Sequence, residues 1–206
     1  MKNTKERIWR EALTLFSQRG FDGVSVKEIA KAVGIKDSSL YNHYKSKLEI
    51  FNTILREVSQ ILKEANNTYA IPLTVNAGDK YKNIPIQELT KMYVDAFKFY
   101  LADETASKFR KLLIAEQHMN QSVGNLYNEL FFDLPMKYLT ILFTDLVNQG
   151  TFIKMDPYII AMHFYSSINF LIRRCDIRPD LVEENISLLE QHIEQFDQIY
   201  RVERTK

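Results

Sequence analysis

Apolar residues recur at helical spacing along most of the chain, and a cap or a breaker stands where each run stops. Ile8, Ala12, Leu13, Leu15 and Phe16 form a wide apolar stripe, with Asn3 and Glu6 at its start and Gly20 at its end. Ser25 followed three residues later by Glu28 is a capping box: the serine oxygen takes a backbone N–H and the glutamate reaches back, so a helix begins at Val26. Ile29 and Val33 lie four apart on its buried side, and Ala30 beside them lets a second helix approach closely. Gly34 ends this helix where a left-handed backbone costs least. Ile35 plugs the turn, and Asp37 or Ser38 caps a second short helix whose Leu40 and Tyr44 point back to the core. The other face of that helix holds Lys36, Ser38, Ser39, Tyr41, Asn42 and His43.

Ser46 and Glu49 form a second capping box, opening a long helix through about Asn67 with Leu48, Phe51, Ile54, Leu55, Val58, Ile61 and Leu62 at helical spacing. Residues 71–85 carry two Pro, one Gly and three Asn or Asp, the composition of a loop. Helical spacing returns at Ile86 and runs to Leu101, followed by a short helix carrying Phe109, Leu112 and Leu113. Val123 to Gln149 reads as one long helix kinked at Pro135 and ended by Gly150. Asp156-Pro157 starts a helix that is apolar nearly all round, which predicts burial on more than one side. In the last helix Val182, Ile186, Leu189, Ile193, Phe196 and Tyr200 alternate steps of four and three, the spacing of a helix–helix seam.

The chain is therefore expected to be all-α, and its chemistry concentrates in residues 25–44. A short helix with a small, polar, hydrogen-bonding outward face, held at an angle on an apolar support, is what the major groove of B-DNA admits. An ordinary helical hairpin with a solvated face satisfies the Ala30–Gly34 spacing equally well. Charge points toward DNA as well, although a four-charge excess over fifty residues is common. The net charge is +1, but residues 1–50 hold ten Lys/Arg against six Asp/Glu, a balance of +4, while the remainder hold seventeen against twenty, −3.

The remaining composition narrows the class. With 206 residues the chain suits one large domain or a small one attached to a larger, and six Gly and five Pro fit a helical protein. A single cysteine, Cys175, excludes an intrachain disulfide. No apolar leader and no run of about 18 apolar residues occurs, so a soluble, cytoplasmic protein is expected. His43, His118, His163, His192 and Cys175 fall on different helices without metal-ligand spacing, so neither a metal nor another cofactor is expected.

Arg19-Gly20-Phe21 at the end of the first helix, the capping box, Gly34, and the run Leu40-Tyr41-Asn42-His43-Tyr44-Lys45-Ser46-Lys47 occur together and in order. That combination resembles the amino-terminal domain of the TetR family of bacterial transcriptional regulators. The resemblance covers roughly the first fifty residues. It implies a three-helix helix-turn-helix DNA-binding domain, residues 1–47, and a larger helical effector-binding and dimerisation domain, residues 48–206. It further implies a homodimer on a palindromic operator of double-stranded DNA, a small-molecule effector, and no catalysis.

By the same resemblance Ser25, Tyr41, His43 and Lys47 match positions that hold phosphates, which leaves base edges to Lys36, Asp37, Ser38, Ser39 and Asn42. Asn42 suits adenine and Lys36 suits guanine, whereas Asp37 is better read as a helix cap. Lys36, Asp37, Ser38 and Asn42 depart from the common family pattern, so no operator preference carries over. An effector pocket is expected among Tyr93, Phe97, Tyr100, His118, Tyr127, Phe131, His163, Ser166 and Asn169, the aromatics supplying apolar walls and the polar residues a few hydrogen bonds. Partners across a dimer would account for the polar ones equally. In the resembled family the last two helices pair between copies, which assigns Val182, Ile186, Leu189, Ile193, Phe196 and Tyr200 to a dimer seam; completing a monomeric core is the alternative. A regulator without an effector, switched by a protein partner, and an all-α enzyme are the competing readings of the whole.

Overall fold

A computed structural model describes residues 4–69 and 84–202. Among them run α1 (Thr4–Arg19), α2 (Val26–Val33), α3 (Asp37–Tyr41), α4 (Lys47–Tyr69), α5 (Ile86–Ala102), α6 (Glu104–Glu116), α7 (Gln121–Asn128), α8 (Leu134–Asn148), α9 (Pro157–Ile177) and α10 (Val182–Tyr200). No strand occurs among the described residues, although Phe152 and Arg201 form an isolated antiparallel bridge. The all-α expectation holds. Lys2, Asn3 and most of the loop expected at 71–85, up to residue 83, lie outside the described residues.

The chain divides into two compact units, one of Met1–Glu64 with Asp103–Glu129 and one of Ala65–Ala102 with Leu130–Lys206. In the first, α1 buries Ile8, Trp9, Ala12, Leu13 and Phe16. Ile29, Ala30 and Val33 of α2 are buried in the same unit, as are Phe109, Leu112 and Leu113 of α6. Fully burying each large side chain contributes about 1.5–3 kcal/mol. The rings of Phe16, Phe21 and Phe51 close on one another with centroids 4.8 to 5.9 Å apart. The compact unit around the helix-turn-helix thus extends beyond residue 47: α4, which begins there, lies in it as far as Glu64, and α6 and α7 belong to the same unit. Side-chain caps from Asp103, bonded to Ala106 N, and Asn120, bonded to Ser122 N and Val123 N, fix where α6 and α7 begin.

The second unit packs α5, α8, α9 and α10 around rings of Phe143, Phe152, Phe164, Phe196 and Tyr200. Here the seam of α10 receives a correction. Ile186, Leu189, Ile193, Phe196 and Tyr200 are between 0% and 7% exposed in a single chain, and Val182 packs against the same core. Seam spacing says that a helix needs a helical partner, not which one; α5, α8 and α9 of the same chain fill that role, so these six residues are core.

The burial of α9 is corrected as well. Ile160, Ala161, Phe164, Leu171, Ile172 and Cys175 face the core, but Tyr158, Met162, Phe170 and Ile177 are 54%, 40%, 63% and 74% exposed. The helix is apolar on two sides and buried within the chain on one.

The kink expected at Pro135 is a π-helical turn, Glu129–Asp133, directly ahead of α8. Proline has no N–H for the carbonyl four residues back, Phe131. The Tyr165 hydroxyl donates to that oxygen instead, at 2.8 Å. Gly150, at φ +68°, follows the end of α8 in the left-handed region where glycine costs least.

Candidate nucleic-acid interface

The capping box at α2 is formed as the sequence reads. Ser25 Oγ accepts from Glu28 N at 3.3 Å, while Glu28 Oε2 accepts from Ser25 N at 2.8 Å and from the Ser25 hydroxyl at 2.7 Å. Arg19 holds the other carboxylate oxygen at 2.7 Å. The Ser25 backbone N–H, then the Ser25 hydroxyl, then Arg19 together bring the Glu28 carboxyl down to about 2. At the far end of α2, Gly34 sits at φ +79° and Ile35 N donates to Ala30 O at 3.0 Å, closing the turn. The Arg7 guanidinium caps the Val33 carbonyl at 2.7 Å.

The five residues of α3 follow at once, with Lys36 as N-cap and no side-chain cap. Neither Asp37 nor Ser38 caps the helix: Asp37 is already its first residue, because the chain enters with Lys36 extended at ψ 148°. Leu40 and Tyr44 are 0% and 1% exposed, as their spacing requires. Tyr44 lies beyond the end of α3, where its hydroxyl donates to Lys5 O at 3.1 Å and the Lys5 ammonium stands 5.1 Å from its ring centroid. Burial pushes its phenol up to about 12.

With those two side chains turned inward, Lys36, Ser38, Tyr41 and Asn42 stand exposed, Ser39 and His43 are half-buried, and Ser25 is exposed at the start of α2. The structure brings the first four together on one short element and its two caps. Lys45, also exposed, adds a cation the sequence reading passed over. Lys47 is only half-exposed: its Nζ donates to Phe21 O at 2.8 Å and to Val24 O at 3.0 Å and lies 4.2 Å from the Phe21 ring centroid. It therefore builds the turn between α1 and α2, a role not evident from its place in the sequence. At the start of α4, Ser46 Oγ accepts from Glu49 N at 3.1 Å, and Glu49 takes Lys45 N at 2.6 Å rather than the N–H of Ser46 itself.

The nine effector-pocket residues differ in burial and fall in both compact units. Phe97, Tyr127 and Phe131 are buried, Tyr100 and Asn169 are half-buried, and His118 and Ser166 are exposed. His163 is exposed and hydrogen-bonded through Nδ1 to the Tyr200 hydroxyl. His118 and Tyr127 belong to the first unit and the other seven to the second. Tyr93 lines a cavity of about 20 Å³ among Phe143, Phe152, Phe164 and Phe196, with Asp197 and Arg201 at its polar side. That is room for about one water molecule. The first unit holds a larger groove of about 430 Å³ lined by Lys5, Trp9, Arg10, Tyr44, Thr53 and Arg56, among other residues. Its arginines are ion-paired, Arg10 with Glu6 at 2.8 Å and Arg56 with Glu57 at 2.9 Å.

Comparison with known proteins agrees with this geometry. The family of bacterial regulatory proteins of the tetR type matches residues 8–54. The negative transcriptional regulator IcaR of the biofilm operon icaADBC, from Staphylococcus epidermidis, is 36% identical over 72 residues, which span 32% of this chain and 39% of that relative. A crystal structure assigned to the TetR family from Mesorhizobium loti superposes with a TM-score of 0.68 at 21% identity, covering 97% of each chain. SmeT in complex with triclosan superposes with a TM-score of 0.65 at 16% identity, covering 98% of this chain and 93% of its own. Residues 8–54 thus match the tetR family of bacterial regulatory proteins, and the fold of the chain is that of solved structures assigned to the same family.

Proposed function

We propose that the chain is a dimeric, cytoplasmic DNA-binding repressor that reads a palindromic operator with two copies of α3 and leaves it when a small molecule binds the body. The observation that carries the reading is the exposed set Lys36, Ser38, Tyr41 and Asn42 on α3 and its caps, inside the residues that match the tetR family. Ser25, Tyr41, His43 and Lys47 take phosphates; Lys36, Ser38, Ser39 and Asn42 face base edges. Lys47 spends two of its three N–H donors on carbonyls and keeps the third for a phosphate. Repression is in keeping with the matched relative, a negative transcriptional regulator.

The dimer surface is the outward face of α9. Tyr158, Met162, Ser166 and Phe170 follow one another at steps of four and Ile177 continues the stripe, an apolar row on a helix whose other side is already core. Two copies joined there carry two α3 helices, and a palindrome read by two such helices has half-sites about one turn apart, roughly 34–36 Å.

A second reading keeps the dimer and the operator but drops the small molecule, a protein partner taking its place. The cavity beside Tyr93 favours it, since at about 20 Å³ that cavity admits no drug-sized effector. SmeT was solved with triclosan, which favours the first.

The mass of the protein in solution, alone and with duplexes it has itself selected from a random pool, tests the proposal. A dimer that binds its selected duplex more tightly than random DNA at physiological salt is the expected result. A monomer, or binding curves against salt that coincide for both duplexes, overturns it.

A further inference from the structure

The turn between α1 and α2 is held by more elements than a three-helix head requires. Phe21 offers a backbone N–H, a backbone carbonyl and a ring, and each goes to a different place. The ring packs on Phe16 of α1 and Phe51 of α4, at 5.6 and 4.8 Å between centroids. The carbonyl accepts from Lys47, the first residue of α4. The N–H donates at 2.7 Å to Oε1 of Glu116, ninety-five positions away at the last residue of α6. A carboxylate at the C-terminus of a helix faces the negative end of the helix dipole, so its position there calls for a compensating partner. Gly20 makes room for it twice over: its φ of +72° suits glycine, and a Cβ there would stand 2.9 Å from that same carboxylate oxygen.

We propose that Glu116 is a positioning residue for DNA reading, through which α6 sets how the turn at Phe21, and with it the N-terminus of α2, is presented to the operator. The inference rests on the DNA-binding reading above. The chain of contacts is short: Glu116 fixes Phe21 N, Lys47 joins Phe21 O to Val24 O, and Val24 immediately precedes Ser25, the N-cap of α2. A displacement of α6 along α1 therefore moves the first phosphate-facing residue of the head without any contact between α6 and DNA.

Three variants separate this role from charge and from folding, all measured on the full chain with a duplex that the wild type has selected from a random pool. Glu116→Gln keeps an oxygen acceptor and loses the charge; Glu116→Asp keeps the charge but shortens the reach by one carbon–carbon bond; Glu116→Ala removes both. The expected result is wild-type affinity for E116Q and a loss of about tenfold for E116D and E116A. The slope of affinity against salt should stay unchanged, because no phosphate contact is removed. Hydrogen exchange at the Phe21 amide should rise in the two weakened variants and not in E116Q. Measured well below the unfolding midpoint, where nearly every chain is folded, a merely structural loss would leave operator affinity unmoved.

Affinities within twofold of wild type for E116D and E116A, alongside faster Phe21 exchange, overturn the inference. So does a loss in E116Q equal to that in E116A, which would make the charge the operative feature. A wild type that selects no duplex fails before any variant is made, and it is then the DNA-binding reading that falls, taking this inference with it.

Discussion

Glu28 is bonded to Ser25 at the start of α2, the residue to which the family resemblance assigns a phosphate. Its carboxylate already takes the Ser25 N–H and the Ser25 hydroxyl, so an incoming phosphate oxygen has to share or displace it. The three donors that hold the carboxylate favour its charged form and bring its pKa to about 2, against an ordinary 4.5. A carboxyl whose folded pKa is depressed contributes stability that is fully present above the unfolded value and is lost as pH falls through the folded one. The window is therefore from about 4.5 down to about 2. An NMR titration of the Glu28 side-chain carbonyl should give an apparent pKa near 2 in wild type. In Ser25→Ala the hydroxyl is lost and the pKa should move up toward the ordinary value. A wild-type titration near 4.5 would show that the capping box is open in solution.

At the scale of elements, what was legible in the sequence is what neighbouring residues determine. The capping box, the Gly34 turn, the Asp156-Pro157 start and the interruption ahead of Pro135 depend on backbone groups within four or five positions, and each lies where its residues place it. The inward turn of Leu40 and Tyr44 was legible for the same reason. The partner of a stripe is not a local property. Spacing marked α10 as one side of a seam, but only the folded chain shows that α5, α8 and α9 supply the other side. Within the candidate site, the exposed residues of α3 could be named from the sequence, whereas Glu116 could not, because nothing in its surroundings points to a turn ninety-five positions away. The seam correction has a direct consequence. Leu189 is 0% exposed, so Leu189→Ala leaves a cavity in the second unit and should lower unfolding stability by about 2–5 kcal/mol. Urea unfolding at two protein concentrations tenfold apart checks it. If α10 were chiefly an interface between copies, the penalty would shrink as concentration rises; as core, it stays the same.

At the scale of the whole molecule, a basic head of +4 over residues 1–50 and a body of −3 over the rest give the chain its direction toward DNA, but one head reads only half of a palindrome. Joining two heads turns the second binding event into an intramolecular one, which raises affinity by about 10²–10⁴ without any new contact. In the proposed dimer the surface that joins the heads is thus worth more to operator binding than any one residue of α3. Phe170 is the sharpest probe of it, since it is 63% exposed and lies in the row with Tyr158, Met162 and Ser166. Phe170→Glu places a charge in the middle of that row while touching little of the chain's own core, so helicity and the unfolding midpoint of the isolated chain should change little. Sedimentation should then report half the wild-type mass, and affinity for the full palindrome should fall to that of a single half-site, whereas affinity for a half-site duplex stays as it was. A variant that still sediments as a dimer removes α9 as the joining face. The apolar row would then need a different occupant, and the two-head geometry would have to be built from another surface.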